Sequence, residues 1–322
     1  MPEPTMAFLG CGAAALMHSR TLAKVAPRLP RLYASRIGEK ARSFSESYGG
    51  SGWFDGYESA LADPHISVVV VTTPPATHFA LARQALQAGK HVVVEKPAFL
   101  TTAELDDIAA LAAAADRQVL VAENYYYKPI AFRLRELIAT GAIGELKLVW
   151  LNATKQQRVA GWRCDPLLAG GGPLFEGGVH WINVLAHLGP EIESIECEEC
   201  GGPMTTVTRV RYRGGAIGLL AYSWELKSRL NGVHMSRMYG SHGSVAFETN
   251  GIFALLRGPR ARVLLPGLRD LMGRRAMWLD FVAALKQPRA PQFTLARARV
   301  DVALLERALA GSPAEEKQPW IS

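Results

Sequence analysis

The sequence predicts an α/β protein with two parts: an amino-terminal doubly wound parallel sheet and a carboxyl-terminal α+β part with a large, mostly antiparallel open sheet. Up to about residue 123, short β-branched runs such as 66–72 alternate with helical segments, one of them capped by Thr101 or Thr102. Later runs, such as 232–240, are mostly strand-like and joined by glycine turns, and a helix at about 297–309 follows them. The chain has 322 residues, 49% of them hydrophobic, which is enough to bury more than one core. We therefore expect domains at 1–123 and 124–322.

The composition excludes several classes of protein. Because no run of eighteen apolar residues is present and the start, MPEPTMAFLG, lacks the features of a secretory signal, we expect a cytoplasmic protein without a membrane span. The four cysteines are scattered and predict no disulfide framework, and the CxxC pair Cys197 and Cys200 lacks a second pair to complete a zinc site. The net charge of +7 is spread without a basic, aromatic stripe, which favours a small polyanionic ligand over nucleic acid.

A glycine-rich turn follows the first predicted strand, residues 5–9, and precedes a helix that runs to about Val25. The turn consists of Gly10, Cys11, Gly12, Ala13, Ala14 and Ala15. This is the G-x-G-x-x-A pattern of dinucleotide binding, in which Gly10 allows a tight turn and Gly12 lets the backbone approach a pyrophosphate. Alone, the pattern fits an ordinary turn equally well, so its interpretation depends on the segments that follow.

The second predicted strand, residues 31–34, ends at Ser35 and Arg36. An acidic residue at this position would bind a free ribose hydroxyl, whereas a hydroxyl and a guanidinium suit a 2′-phosphate. The pair therefore favours NADP(H) over NAD(H). The alternative is a solvated surface arginine.

Polar residues gather at the ends of the later strands, and these ends form the ligand crevice of a parallel sheet. They are Thr72, Thr73, Pro74, His78, Glu95, Lys96, Glu123 and Asn124. His78 suits helix packing or capping as well as cofactor contact. Lys96 ends HVVVEKP, residues 91–97, and we expect it to point at the ligand rather than serve only as an ion-pair partner of Glu95.

A second glycine run, in the segment 170–183, opens a predicted helix that carries Glu176, His180 and Asn183. Their i, i+4 and i+7 spacing places a carboxylate, an imidazole and an amide on one helical face. The alternative is a capped helix whose histidine is satisfied by Glu176. We expect no metal site, because there is one clear nitrogen ligand and no HExxH motif.

Five stretches together resemble the glucose-fructose oxidoreductase, inositol dehydrogenase and MocA (Gfo/Idh/MocA) family. They are AFLGCGAAALMH, the Ser-Arg pair, TPPATH, ALQAGKHVVVEKP and GGGPLFEGGVHWINVLAHLG. The resemblance runs over nearly the whole chain. It implies a Rossmann domain and an NADP(H)- or NAD(H)-dependent oxidoreductase acting on a secondary alcohol or ketone, usually of a sugar or cyclitol. It also implies a homodimer or homotetramer formed through the carboxyl-terminal sheet.

The resemblance assigns roles to particular residues. Lys96 corresponds to the family's lysine beside the nicotinamide, often followed by a cis bond, here into Pro97, and His180 to the usual proton donor or acceptor. Which of Lys96 and His180 transfers the proton stays open. The acids around the histidine correspond to Glu176 and Asn183. The family's Trp-Arg pair that approaches the cofactor corresponds to Trp162 and Arg163.

Two departures from the family pattern keep other functions open. Glu176 stands where aspartate is more frequent and reaches one methylene further, and Asn183 replaces a frequent aspartate, which removes a charge near His180. One alternative is an NADPH-dependent reductase of a tetrapyrrole or dihydrodiol-like substrate, favoured by apolar Phe175, Trp181 and residues 125–127. Another is a non-catalytic NADP-binding sensor.

Overall fold

The computed structural model describes residues 3–227, 230, 233–258, 261–287 and 289–310. The chain forms two compact units: Met1–Glu123 with Arg274–Arg299, and Asn124–Gly273 with Val300–Ser322. The change of unit after Glu123 lies where the composition changes, but the segment Arg274–Arg299 groups with the first unit rather than with the second. The assignment of domains at 1–123 and 124–322 stays a prediction.

The first unit alternates strands and helices. Its elements up to Glu123 are β1 (Met6–Leu9), α1 (Ala13–Val25), β2 (Arg31–Ser35), α2 (Gly38–Tyr48), β3 (Gly52–Asp55), α3 (Tyr57–Ala62), β4 (Val68–Val71), α4 (His78–Gln87), β5 (His91–Val94), α5 (Thr102–Ala115) and β6 (Val119–Val121). Within the described residues its sheet has six parallel strands in the order β3-β2-β1-β4-β5-β6. The predicted doubly wound parallel sheet is confirmed.

The central strands explain why the sequence pattern was clear. β1 and β4 are buried along their whole length, and three of the four residues of β5 are buried. Strands that are covered by helices on both faces consist of continuous apolar residues, and the VVVV sequence of β4 is of this kind. The strand order reverses between β1 and β4, so a ligand crevice is expected beyond their carboxyl ends.

The second unit is built on a large sheet. Its elements up to Gly273 are α6 (Pro129–Ala139), β7 (Leu146–Thr154), α7 (Pro166–Ala169), α8 (Val179–Ala186), β8 (Ile192–Glu199), β9 (Thr205–Tyr212), β10 (Ile217–Ser223), β11 (Met235–Gly240), β12 (Ser244–Glu248), β13 (Ala254–Arg257) and β14 (Arg262–Leu264). The described strands follow the order β14-β13-β12-β11-β7-β10-β9-β8. β7 and β10 are parallel and the other neighbours are antiparallel, which confirms the mostly antiparallel open sheet.

Helix α8 packs on one face of this sheet. The Tyr212 hydroxyl donates to the carbonyl of Leu185 over 3.0 Å. A Cβ atom added to Gly218 of β10 would lie 3.2 Å from Cδ2 of Leu185, so the helix and the strand are in close contact. The large sheet thereby fixes the helix that carries His180.

The last two helices are α9 (Arg274–Lys286) and α10 (Leu295–Ala310). α9 contacts α1 in the first unit, and its Met277, Trp278 and Phe281 are buried there. α10 agrees with the carboxyl-terminal helix predicted over about 297–309, whereas α9 was not predicted. The strand predicted at 232–240 begins on a residue outside the described residues and is seen as β11. No helix among the described residues has the length and apolar character to cross a bilayer.

Candidate functional site

The turn after β1 has the geometry of a nucleotide-binding turn. Gly10 has a φ of +104°, and a Cβ atom there would lie 3.1 Å from the carbonyl oxygen of Thr72, so only glycine fits without strain. The Thr72 hydroxyl contacts the carbonyl oxygens of Leu9 and Gly10, each at 3.0 Å. Thr72 therefore shapes the turn from the end of the neighbouring strand.

The amino terminus of α1 fits an anionic ligand. Gly12 provides no side-chain cap, the first turn contains no acidic residue, and a Cβ atom on Gly12 would meet no atom within 4 Å. Ala13 and Ala14 begin the helix with small side chains. By contrast, the Thr101 side chain caps α5 by accepting from the Glu104 amide over 3.1 Å. Uncapped amides at a helix start bind phosphate groups, so the predicted pyrophosphate position fits the residues present.

Two positively charged residues follow β2: Arg36 directly after the strand, and Lys40 in α2. Ser35 is buried and its hydroxyl accepts from the amide of Ile37 over 3.3 Å, while Arg36 is exposed. The charge of Lys40 reaches Cys11 in the turn: burial raises the pKa of the Cys11 thiol to about 11, and Lys40 opposes that rise. The sequence interpretation missed Lys40, although it lies only four residues after Arg36.

His78 joins the loops that follow β4 and β5. Its ring is fully buried, with Nε2 2.8 Å from the carbonyl oxygen of Thr73 and Nδ1 2.9 Å from that of Pro97. Burial lowers the pKa of His78 although these contacts oppose the shift. The structural role of its side chain is therefore to hold two loops together, and contact with a cofactor stays a prediction. Thr73 and Pro74 lie in the same loop, where both contact the hydroxyl of Thr77.

Glu95, at the end of β5, lies at the centre of a hydrogen-bond network. Its Oε1 is 2.6 Å from Nε2 of His18, and its Oε2 accepts from the backbone amide of Lys96 over 2.9 Å. The peptide bond between Lys96 and Pro97 is cis, as the resemblance implied. Burial favours a raised pKa for Glu95, but the hydrogen bond from His18 and the charge of Lys96 outweigh it and hold the pKa below its usual value.

The tautomer of His18 follows from its second neighbour. The indole nitrogen of Trp278 donates to Nδ1 of His18 over 2.9 Å. Because an indole N–H cannot accept, Nδ1 must accept and Nε2 carries the proton that points at Glu95. Trp278 and His18 thus form a directional relay to Glu95 and to the backbone of Lys96. The sequence interpretation missed both residues; their positions, 260 apart, gave no local signal.

The glycine run leads into a π-helical turn, Leu174–Gly178, before α8 begins. The prediction that Glu176, His180 and Asn183 share one face assumed an uninterrupted α-helix. Because Glu176 lies in the π turn and the other two lie in α8, the 3.6-residue spacing does not hold across the junction. The three side chains also have different neighbours: Arg163 for Glu176, Tyr125 for His180 and Asp301 for Asn183.

Glu176 is buried and paired with Arg163. Its Oε1 lies 3.2 Å from Nε and 3.1 Å from Nη2 of Arg163, whose guanidinium stacks on Trp162 at 4.6 Å. Tyr222, which accepts from the Trp224 indole over 2.5 Å, has its pKa raised by burial and by the charge of Glu176. Tyr222 therefore stays a neutral phenol. Contact of Trp162 and Arg163 with the cofactor remains a prediction.

His180 is half-buried and stacks on Tyr125. The two rings are 4.1 Å apart between centroids and 17° from parallel, and Trp181 meets Tyr125 edge-on at 5.0 Å. The structure thus gives the imidazole an aromatic platform. From the sequence, Tyr125 is expected only as part of an apolar lining.

Two predicted amides are engaged with other residues. Asn183 is fully buried, and its Nδ2 donates to Oδ2 of Asp301 over 2.7 Å, while Nε2 of His187 lies 2.9 Å from Oδ1 of the same carboxylate. Asn124 donates to the carbonyl of Met272 over 2.6 Å. Asn183 therefore anchors α8 to α10, and the predicted roles of both amides in catalysis or cofactor binding stay untested predictions.

The apolar residues that favoured a non-sugar substrate are largely interior. Phe175, Trp181, Tyr126 and Tyr127 are all buried. They contribute to the core of the second unit rather than to an open apolar surface. The structure brings together Gly10 and Thr72 in the first unit, and pairs Glu176 with Arg163 and His180 with Tyr125 in the second.

Comparison with family models gives the same assignment as these features. Residues 5–123 match the model of an oxidoreductase family with an NAD-binding Rossmann fold, and residues 132–246 match the carboxyl-terminal domain of the same family. The chain belongs to the Gfo/Idh/MocA oxidoreductase family. This membership agrees with the resemblance drawn from the motifs.

Two relatives of the chain are named as enzymes that act on sugars. The chain is 33% identical over 185 residues, 56% of its length, to dTDP-3,4-didehydro-2,6-dideoxy-alpha-D-glucose 3-reductase of Streptomyces violaceoruber. It is 32% identical over 176 residues, 51% of its length, to D-xylose 1-dehydrogenase (NADP(+)) of Hypocrea jecorina. The matches span 52% and 44% of those relatives' own lengths. Levoglucosan dehydrogenase, solved with NADH and levoglucosan, has the same fold, with a TM-score of 0.83, 21% identity and coverage of 97% of this chain and 98% of its own.

Proposed function

We propose that the protein is an NADP(H)-dependent oxidoreductase that transfers a hydride between the nicotinamide and a carbonyl or secondary alcohol of a sugar-like or cyclitol substrate. The observation that carries the proposal is the crevice edge of the first unit. There the uncapped start of α1 and the Gly10 turn lie at the end of β1, and Lys96, fixed through Glu95, lies at the end of β5. The two sugar-modifying relatives support the substrate class.

His180, Lys96 and Glu176 each have a separate role in the proposed reaction. Bound NADP(H) would supply or accept the hydride at its nicotinamide ring. During carbonyl reduction, His180 gives a proton to the substrate oxygen, and in the reverse direction it takes that proton back. The ammonium of Lys96 polarises and orients the same oxygen. Glu176, ionised beside Arg163, positions the substrate or His180.

The opposite assignment makes Lys96 the proton donor. A Lys96→Arg variant separates the two assignments, because a guanidinium can polarise an oxygen but does not release a proton. Partial turnover by this variant, with His180→Ala inactive, supports His180 as the donor. Loss of turnover in a folded Lys96→Arg variant that still binds NADPH supports Lys96.

The preference for NADP(H) rests on Arg36, Ser35 and the nearby charge of Lys40. We expect Arg36→Ala to weaken NADPH binding by about ten-fold while leaving NADH binding unchanged, because one charge-assisted contact to the 2′-phosphate is lost. Fluorescence titration of both reduced cofactors measures this. Arg28→Ala, a change at another exposed arginine, is the matched control. Equal weakening of both cofactors would contradict the preference.

The substrate class is tested by two activity panels. NADPH oxidation is followed with nucleotide-linked keto sugars and free keto sugars, and NADP⁺ reduction with aldoses, glucosides and cyclitols. Turnover on either panel supports the proposal. Turnover on biliverdin or an aromatic dihydrodiol alone supports a non-sugar reductase, and tight NADPH binding without any turnover supports a sensor.

We also propose self-association through the face of the large sheet away from α8. Trp150, Leu255 and Val263 are exposed on this face. Strand pairing aligns them in one row across the sheet, which runs from Trp150 of β7 through Arg237 and Ala246 to Leu255 of β13 and Val263 of β14. An exposed apolar row of this kind suits a homodimer or homotetramer. Light scattering should report a dimer or tetramer for the wild type and a monomer for Trp150→Glu, with Trp53→Glu in the first unit as the control.

A further inference from the structure

Lys128 is a lysine that the fold buries. It directly precedes α6, only 1% of its surface is exposed, and its Nζ lies 4.1 Å from the centre of the Tyr125 ring and 5.6 Å from that of Trp181. Lysine is rarely buried to this extent, because its ammonium loses its hydration. The face of an aromatic ring attracts such a cation and is in turn fixed by it.

The Tyr125 ring that meets this cation is also the platform of His180. The stacked separation of 4.1 Å and the angle of 17° place the imidazole nearly parallel to the phenol ring. Turning the imidazole out of this plane would break the stacking contact. The orientation of His180 is therefore coupled to that of Tyr125.

The backbone beneath Tyr125 is rigid as well. The turn closes through hydrogen bonds from the amide of Tyr127 to Asn124 and from that of Lys128 to Tyr125. Gly273, with a φ of +71°, packs so closely that a Cβ atom would lie 2.5 Å from the carbonyl oxygen of Asn124 and 2.6 Å from the amide nitrogen of Lys128. Because the backbone is clamped, the remaining freedom of Tyr125 is that of its side chain.

We propose that Lys128 is a positioning residue whose charge, acting through the Tyr125 ring, holds the imidazole of His180 in the orientation required for proton transfer. The inference rests on the proposed role of His180. Proton transfer requires a ring nitrogen directed at the substrate oxygen within hydrogen-bond distance, so a small rotation of the ring is costly. Being buried, Lys128 acts through Tyr125 rather than by contact with the substrate.

The neighbouring tyrosine supplies a matched control. The guanidinium of Arg135 lies 4.3 Å from the Tyr126 ring centre, and that ring meets His187 edge-on, at 5.6 Å and 81°. His187 is held by its 2.9 Å contact with Asp301 rather than by stacking. Arg135→Met, like Lys128→Met, removes a cation that faces a tyrosine ring. It should nevertheless leave the rings of His180 and His187 in place.

The test compares Lys128→Met with Arg135→Met by NMR of the protein labelled with ¹³C at the histidine ε1 carbon. The chain has eight histidines, and the signal missing from His180→Ala identifies His180. In the wild type, the ring current of Tyr125 should shift the His180 signal upfield of the signals of exposed histidines. Lys128→Met, similar in length but uncharged, should move the His180 signal back downfield or broaden it and leave the other seven signals unchanged. Arg135→Met should leave all eight signals unchanged.

Kinetics gives the second readout. With a substrate from the panels above, Lys128→Met should lower kcat by about ten- to a hundred-fold and leave the KM for NADPH within two-fold, because orientation rather than binding is lost. An unchanged His180 signal in Lys128→Met, or a kcat equal to that of Arg135→Met, would overturn the inference. Full activity of His180→Ala would instead overturn the proposed function, and the NMR result tells the two failures apart because it needs no substrate.

A second uncharged substitution keeps the inference testable if Lys128→Met does not fold. Lys128→Gln removes the charge and retains the Tyr125 ring, so it should displace the same His180 signal. An undisplaced signal in folded Lys128→Gln would also overturn the inference.

Discussion

Lys96 and His180, one in each unit, are held by different kinds of contact. Lys96 follows a carboxylate that is fixed by directional hydrogen bonds from His18, which is itself fixed by Trp278. His180 rests on a stacked tyrosine that faces a buried ammonium. The first arrangement depends on proton positions, and the second on ring shape and charge. Substitutions of similar size should therefore disturb Lys96 when they remove a hydrogen-bond donor, and disturb His180 when they remove a charge.

The largest effects should come from the two residues themselves. Lys96→Met and His180→Ala should each reduce turnover about a thousand-fold, because polarisation and proton transfer are lost, while NADPH binding stays within a few-fold of the wild type. Steady-state kinetics and fluorescence titration measure the two quantities. Lys24→Met and His65→Ala, at exposed positions, are the controls. Full activity in both catalytic variants would contradict the mechanism.

A smaller effect should follow from Trp278→Phe. The substitution keeps an aromatic ring but removes the donor to Nδ1 of His18, so His18 can adopt the other tautomer and present a lone pair to Glu95. We expect kcat to fall by about ten-fold, from looser positioning of Lys96, and unfolding free energy to fall by about 1–2 kcal/mol. Trp53→Phe, at an exposed tryptophan of the same unit, is the control. A kcat equal to that of this control would show that the Trp278–His18 relay does not position Lys96.

The smallest effect is a pH dependence of stability. Because the folded-state pKa of Glu95 is below its usual value of 4.5, its ionised form stabilises the fold above that pH, and this contribution is lost as the pH falls below it. The stability difference between wild type and Glu95→Gln should be constant from neutral pH to about 4.5 and then decline. Urea unfolding at several pH values measures it. A difference that grows as the pH falls would contradict the assigned shift.

Local patterns explain which parts of the fold could be predicted. The valine runs of β4 and β5 and the Thr101 cap of α5 follow from burial and capping within a few residues, and all were predicted. The strands β3, β8 and β14 and the helices α2, α3, α7 and α9 were not predicted. β3 and β14 are short, β8 is rich in acidic residues, and the mixed sequence of α9 lacks a clear period. The fold class and the family, by contrast, were both confirmed.

The candidate site divides in the same way. Gly10, Gly12 and Lys96 were predicted at the strand ends where the structure has them, because each lies beside its own strand. Contacts between distant positions could not be predicted: Trp278 to His18 spans 260 residues, and Asn183 to Asp301 spans 118. The π turn at Leu174–Gly178 was missed because spacing alone does not distinguish it from an α-helix.

The most direct test of the central claim is a crystal structure with NADPH and a substrate identified by the panels. We expect the 2′-phosphate at Arg36 and the pyrophosphate at the start of α1. We also expect Lys96 Nζ and a ring nitrogen of His180 each to lie about 3 Å from the reacting substrate oxygen. A reacting oxygen in hydrogen-bond contact with neither residue would contradict the proposed mechanism.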